Sequence, residues 1–115
     1  RGYYDAIHAT HSIDKYQRPF NSDEGRTVFL DHLAALDARE TEALAARLPD
    51  VLMPTAIVWG SHDPFLPMSL GRRLARTMPN ATIDILSGAR HFTPEEEPRE
   101  VAEILGALLT RPLSS

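Results

Sequence analysis

The chain has no cysteine, which excludes disulfide frameworks, thiolate zinc sites and a cysteine nucleophile. It also lacks a basic excess: twelve Lys and Arg stand against sixteen Asp and Glu, a formal net charge of -4. The electrostatic footprint of a nucleic-acid binder is therefore missing, and no nucleic-acid partner is expected. No apolar run approaches the roughly 20 residues that a membrane-crossing helix needs; even Ile104 to Leu109 is interrupted by Gly106. A membrane partner is not expected. Internal repeats, low-complexity tracts and flexible linkers are absent too. The chain opens on Arg1, Tyr3 and Tyr4 without the basic-then-apolar order of a secretion signal. The expectation is a cytoplasmic protein, cut from something longer.

What is present is ordinary globular material. The 115 residues are 43% hydrophobic and 24% charged, which suits one domain or a piece of a larger one. Residues 1 to 20 carry three tyrosines, His8, His11, Pro19 and Phe20 without a clear apolar period and read as a loop or short helical turns. Ser22, followed by Asp23 and Glu24, starts a helix over 22–36 with Val28, Phe29, Leu33 and Leu36 on one face. Asp37 with Glu40 three residues on resembles a capping box and opens a second helix, with Leu44, Ala45 and Leu48 on its face, stopping at Pro49.

The second half reads strand, helix, strand, helix. Thr55 to Trp59 is short, β-branched and bounded by Pro54 and Gly60, the pattern of a strand buried on both faces in a parallel sheet. Leu70, Leu74, Ala75 and Met78 recur at spacings of three and four. Thr82 to Leu86 is a second strand, and Pro98 introduces a last helix with Val101, Ala102, Leu105, Leu108 and Leu109 on one stripe. Arg111 to Ser115 reads as a frayed tail.

Two strands joined by a helical crossover are expected to run parallel and to finish on the same edge, where open α/β sheets place their ligand sites. Asp63 follows the first strand and His91 the second. The topology thus makes an Asp–His pair plausible although 28 residues separate them.

At this point the residues resemble a known family. The run Pro54-Thr55-Ala56-Ile57-Val58-Trp59-Gly60-Ser61-His62-Asp63-Pro64, then Pro67, Gly88-Ala89-Arg90-His91-Phe92 and Glu97-Pro98, resembles the C-terminal third of an α/β-hydrolase-fold enzyme. The branch is that of epoxide hydrolases, haloalkane dehalogenases and related esterases. The likeness covers about residues 50 to 109. It implies parallel strands with flanking helices over 49–115, preceded over 1–48 by the end of a helical cap and its connecting helices. It also implies Asp63 as triad acid, His91 as triad base, and no cofactor. The family's nucleophile elbow and oxyanion loop have no counterpart: none of the six glycines frames a Ser or Asp in the G-x-S-x-G manner.

Each residue also has a plainer reading. His91 on a loop is ordinarily solvated or locally hydrogen-bonded, and Asp63 before Pro64 can simply cap a turn. His62, Asp63 and His91 as metal ligands have no helical spacing behind them, so no metal is expected. Trp59 reads as packing ahead of pocket lining. Phe65, Leu66 and Phe92 can contact an apolar substrate or plug the core, and Glu95, Glu96 and Glu97 read as acids favoured near a helix start at Pro98. Tyr3, Tyr4, Tyr16 and the histidines at 8, 11 and 32 can belong to a cap, with no spacing to single one out.

Two functions follow. The first is a hydrolase acting on an ester, epoxide or carbon–halogen bond through a covalent intermediate, to which this chain gives acid and base while an upstream segment of the same parent, or a second copy, completes the fold around a small-molecule substrate. The second is a non-catalytic remnant serving as a folding or interaction module.

Overall fold

A computed structural model describes residues 6–111. Tyr3, Tyr4 and most of the expected C-terminal tail lie outside these residues. Helix α1 (Ala6–Gln17) continues into a 3-10 turn at Arg18–Asn21. Helices α2 (Asp23–Ala34) and α3 (Ala38–Ala46) follow, then a 3-10 turn at Leu48–Asp50. Strand β1 (Thr55–Gly60), helix α4 (Met68–Thr77), strand β2 (Ala81–Leu86), the one-turn helix α5 (Thr93–Glu96) and helix α6 (Pro98–Leu109) complete the order.

The helix starts at Ser22 and Asp37 are capped by those side chains, although the Glu40 side chain does not close the expected capping box. Ser22 Oγ accepts from the Gly25 amide at 3.1 Å, and the Asp37 carboxylate accepts from the Arg39 amide at 2.9 Å, each satisfying a donor that has no partner inside the helix. Asp37 also grips the Arg39 guanidinium at 2.8 Å. The expectation of a loop over the first 20 residues is corrected: α1 is a 12-residue helix. Its apolar period is short and mixed. Ala9, Ile13 and Tyr16 recur at spacings of four and three, the spacing of one helix face, and Ala9 is buried.

The strands pair in parallel, with Thr55 opposite Ala81 through to Gly60 opposite Leu86. The expectation of burial on both faces is corrected in degree. Ile57 and Gly60 are buried, whereas every residue of β2 is only part-buried. Two strands cover one edge each, and the helices beside them leave the remaining surface open. Trp59 packs as expected: its ring lies against Gly71 of α4, where an added Cβ would stand 2.7 Å from the indole, and its Nε1–H donates to the Leu66 carbonyl at 3.2 Å.

The core is thin. Among the described residues Ala9, Ile57, Met78 and Ala89 are the buried apolar ones, and none of the side chains of large volume is fully buried. The apolar face of α2 is open, Val28 being 49% and Leu33 47% exposed; Leu36, expected on that face, lies past the end of the helix at Ala34. The Cα radius of gyration is 17.0 Å, against the roughly 13 Å that a compact domain of this length would have. Among the described residues no helix is long and apolar enough to cross a membrane.

Candidate active site

The site lies beyond the ends of the two paired strands. After Gly60 the ladder continues one step, the Ser61 amide donating to the Leu86 carbonyl at 3.0 Å. The chain then turns at Asp63-Pro64. Asp63 Oδ1 accepts from the Phe65 and Leu66 amides at 2.8 and 3.0 Å, the side-chain-to-backbone turn that Asp before Pro favours. Its other oxygen, Oδ2, receives His91 Nδ1 at 2.9 Å. The turn-capping role and the pairing role, alternatives in the sequence, are thus held by one carboxylate with one oxygen for each.

The loop that brings His91 to Asp63 is held at three successive residues. The Gly88 amide donates to Ser61 Oγ at 2.9 Å, the Ala89 carbonyl accepts from the His62 amide at 2.9 Å, and the Arg90 amide donates to Glu96 Oε2 at 2.7 Å. Two glycines make this course possible. Gly88 adopts φ 82°, in the left-handed region where a side chain is strained. Gly60 lies so close beneath the loop that a Cβ there would stand 2.0 Å from the Arg90 carbonyl oxygen.

The Asp63 side chain is 7% exposed and that of His91 34%. Burial pushes the Asp63 carboxyl up, but the His91 hydrogen bond, the Phe65 and Leu66 amides and the imidazole's charge outweigh it and hold it below the usual aspartate value. Asp63 is therefore an anion at neutral pH. With Nδ1 engaged, Nε2 is the ring nitrogen left to exchange a proton. The His91 ring meets Phe65 and Phe92 edge to face, with centroids 5.1 and 5.3 Å apart. Phe65 is 58% exposed, and Leu66 joins Trp59, Gly60, Asp63, His91 and Thr93 around a cavity of about 140 Å³. A larger hollow of about 420 Å³ between Leu48, Leu70, Arg73 and Thr77 contains neither Asp63 nor His91; the titratable pair, rather than size, marks the smaller one as the site.

His62 is turned to Ser61 Oγ through Nδ1 at 2.8 Å, so it does not join the pair as a third ligand. No group of three or more His, Asp or Glu side chains converges on a metal position among the described residues. His32 sits on α2, and the side chains of His8 and His11 are outside the described set. Ser61, which receives the Gly88 amide, carries no signal in the sequence, and the three acids stand, as expected, before the helix that starts at Pro98, with Glu97 as its N-cap. Glu95 and Glu96 belong to the separate turn α5. Glu95 accepts from Ser12 and Tyr16 of α1, while Glu96 holds the Arg90 amide. Their position shortly after His91, on a segment short enough to fold back, was the available signal.

Comparison with known proteins gives a consistent picture. A search of protein-family models finds no match. The chain is 32% identical over 94 residues to the uncharacterized hydrolase YugF of Bacillus subtilis, covering 79% of this chain and 32% of that one. It is 30% identical over 97 residues to a 2-hydroxy-6-oxononadienedioate/2-hydroxy-6-oxononatrienedioate hydrolase of a Pseudomonas species, covering 84% of this chain and 34% of the relative. Among solved structures it superposes on MGS-MChE2, described as an alpha/beta hydrolase enzyme from a sediment metagenome of the Mar Chica lagoon, Morocco. That likeness has a TM-score of 0.61 and 26% identity, and covers 83% of this chain and 42% of that one. The chain therefore spans about a third of the length of these curated relatives.

Proposed function

We propose, from the premise that this chain belongs to the α/β-hydrolase superfamily, that it supplies the acid and the base of a hydrolase whose nucleophile lies in an upstream segment of the same parent. The observation that carries this reading is the 2.9 Å bond between His91 Nδ1 and Asp63 Oδ2 across 28 residues of sequence. In this reading residues 1–48 end a helical cap and 49–115 form the C-terminal part of the core.

The chemistry follows from the pair. Asp63, anionic at neutral pH, fixes His91 as the Nδ1–H tautomer and stabilises the imidazolium that forms when Nε2 takes a proton. If the nucleophile is a serine, Nε2 removes its hydroxyl proton as the oxygen attacks an ester carbonyl, then returns that proton to the departing alcohol. If it is an aspartate, its carboxylate attacks without a base, displacing a halide, or opening an epoxide whose oxygen takes a proton from a donor in the rest of the parent as the C–O bond breaks. On either route Nε2 then deprotonates the water that hydrolyses the ester formed on the nucleophile, and on the serine route hands that proton back to the serine oxygen. Both routes consume one water overall and need no cofactor. Phe65, Leu66 and Phe92 give the side of His91 an apolar lining suited to an apolar substrate group.

The test is made on the full-length protein carrying this sequence, with activated esters, epoxides and haloalkanes offered in turn. His91→Ala should abolish turnover of whichever is accepted. Undiminished turnover by that variant would overturn the assignment. The open face of α2 favours a parent segment over an autonomous module, since an independent module would have to expose Val28 and Leu33 permanently.

A further inference from the structure

The Arg90 amide is a problem that the fold has to solve. β2 ends at Leu86, so residues 87–92 have left the ladder that would otherwise pair their backbone groups. An amide left unpaired here, in part-buried surroundings, would favour any loop course that let it reach water. The neighbouring links are neutral: a serine hydroxyl for Gly88 and a backbone amide for the Ala89 carbonyl. The Arg90 amide instead meets a carboxylate oxygen at 2.7 Å, and hydrogen bonds to a charged acceptor are roughly twice as strong as neutral ones. This is also the link nearest to His91, one peptide away from the residue whose ring must meet Asp63.

Glu96 is well placed for that purpose. Its turn begins immediately after the histidine loop, and the Glu95 and Glu96 amides both donate back to the Phe92 carbonyl, at 2.9 and 3.0 Å. The loop and its anchor are thus one closed unit from Arg90 to Glu96. The adjacent Glu95 faces the other way, toward Ser12 and Tyr16 of α1, so the two carboxylates do not substitute for each other.

We propose that Glu96 is a positioning residue for His91: by accepting the Arg90 amide it fixes the loop so that Nδ1 stays within reach of Asp63 and Nε2 points where the proton must be taken. Glu96 is not among the residues that line the cavity beside His91, so its part is to position rather than to react. The inference rests on the assignment of His91 as the base.

The experiment uses the full-length protein and the substrate that it turns over. Glu96→Ala should lower kcat by on the order of 10- to 100-fold, the scale expected for a misplaced catalytic group, with KM changed less than about twofold. Glu96→Gln keeps an acceptor oxygen and should recover most of the loss. The combined Glu96→Ala, Asp63→Asn protein should be only slightly worse than Asp63→Asn alone, because both changes act through the same ring. Proton NMR supplies a readout independent of turnover: the strongly deshielded Nδ1 proton of His91 should broaden or disappear in Glu96→Ala and persist in Glu96→Gln. Full activity of Glu96→Ala, additive losses in the double variant, or an unchanged Nδ1 proton would each overturn the proposal. If His91→Ala itself keeps full activity, the assignment of the base fails, and the proposal with it. That outcome is distinct, because it does not involve Glu96.

Discussion

Replacing Asp63 by Asn separates the two tasks of one carboxylate. Asn keeps an oxygen where Oδ1 accepts the Phe65 and Leu66 amides at 2.8 and 3.0 Å, so the turn survives. It puts an NH2 group where Oδ2 now meets His91 Nδ1. Two donors cannot face each other, so the imidazole must switch to the tautomer that carries its proton on Nε2, where it can no longer act as a base. In the Ser-His-Asp precedent that switch costs about 10⁴-fold in kcat, which at about 1.4 kcal/mol per decade is roughly 5 kcal/mol of transition-state stabilisation. The fold should lose much less. Two hydrogen bonds weaken from charge-assisted to neutral, a change on the order of 1–2 kcal/mol for the pair. The assay is kcat/KM of the full-length protein beside its denaturant midpoint. A drop of several decades with the midpoint nearly unmoved is expected. Wild-type activity would refute the pairing as a catalytic one, and loss of activity that tracks loss of fold would refute the division of labour between the two oxygens.

Further outcomes can be checked directly. The 115 residues alone should hydrolyse a nitrophenyl ester no faster than free imidazole, and turnover by the pure chain that His91→Ala removes would contradict this. Because the folded Asp63 carboxyl is held below its ordinary value of 3.8, its contribution to stability is present above that value and is lost as the pH falls through the lowered one. Melting temperatures should therefore fall more steeply below pH 3.8 for the wild-type full-length protein than for Asp63→Asn, and parallel curves there would show that Asp63 is not held in this way. Gly60→Ala drives a methyl into the Arg90 carbonyl and should cost at least about 2 kcal/mol by chemical denaturation, whereas a change within 0.5 kcal/mol, the scale of a neutral surface substitution, would mean that the loop has room to move. Light scattering of the isolated chain should show association or an expanded species, given the open face of α2; a compact monomer with protected amides in both strands would mark a self-sufficient domain.

By itself the sequence determined the elements whose signals are local. Ser22 and Asp37 announce helix starts, Pro98 a first turn, and the β-branched runs after Pro54 and Asn80 the strands, because caps, proline geometry and side-chain branching act within a few residues. It also made Asp63 and His91 candidates, since parallel strands deliver their ends to one edge whatever the intervening residues are. Helix α1 was obscured by polar residues between Ala9, Ile13 and Tyr16, a face whose partners lie far along the chain. What only tertiary structure decided is how the candidates are held. That Asp63 divides its oxygens between a turn and a histidine, that Gly60 must be bare because the Arg90 carbonyl passes over it, and that Glu96 rather than Glu95 takes the Arg90 amide all depend on the approach of segments far apart in sequence. Such approach is fixed to fractions of an ångström by packing and hydrogen-bond geometry, and residue type at one position carries no record of which distant group will arrive there.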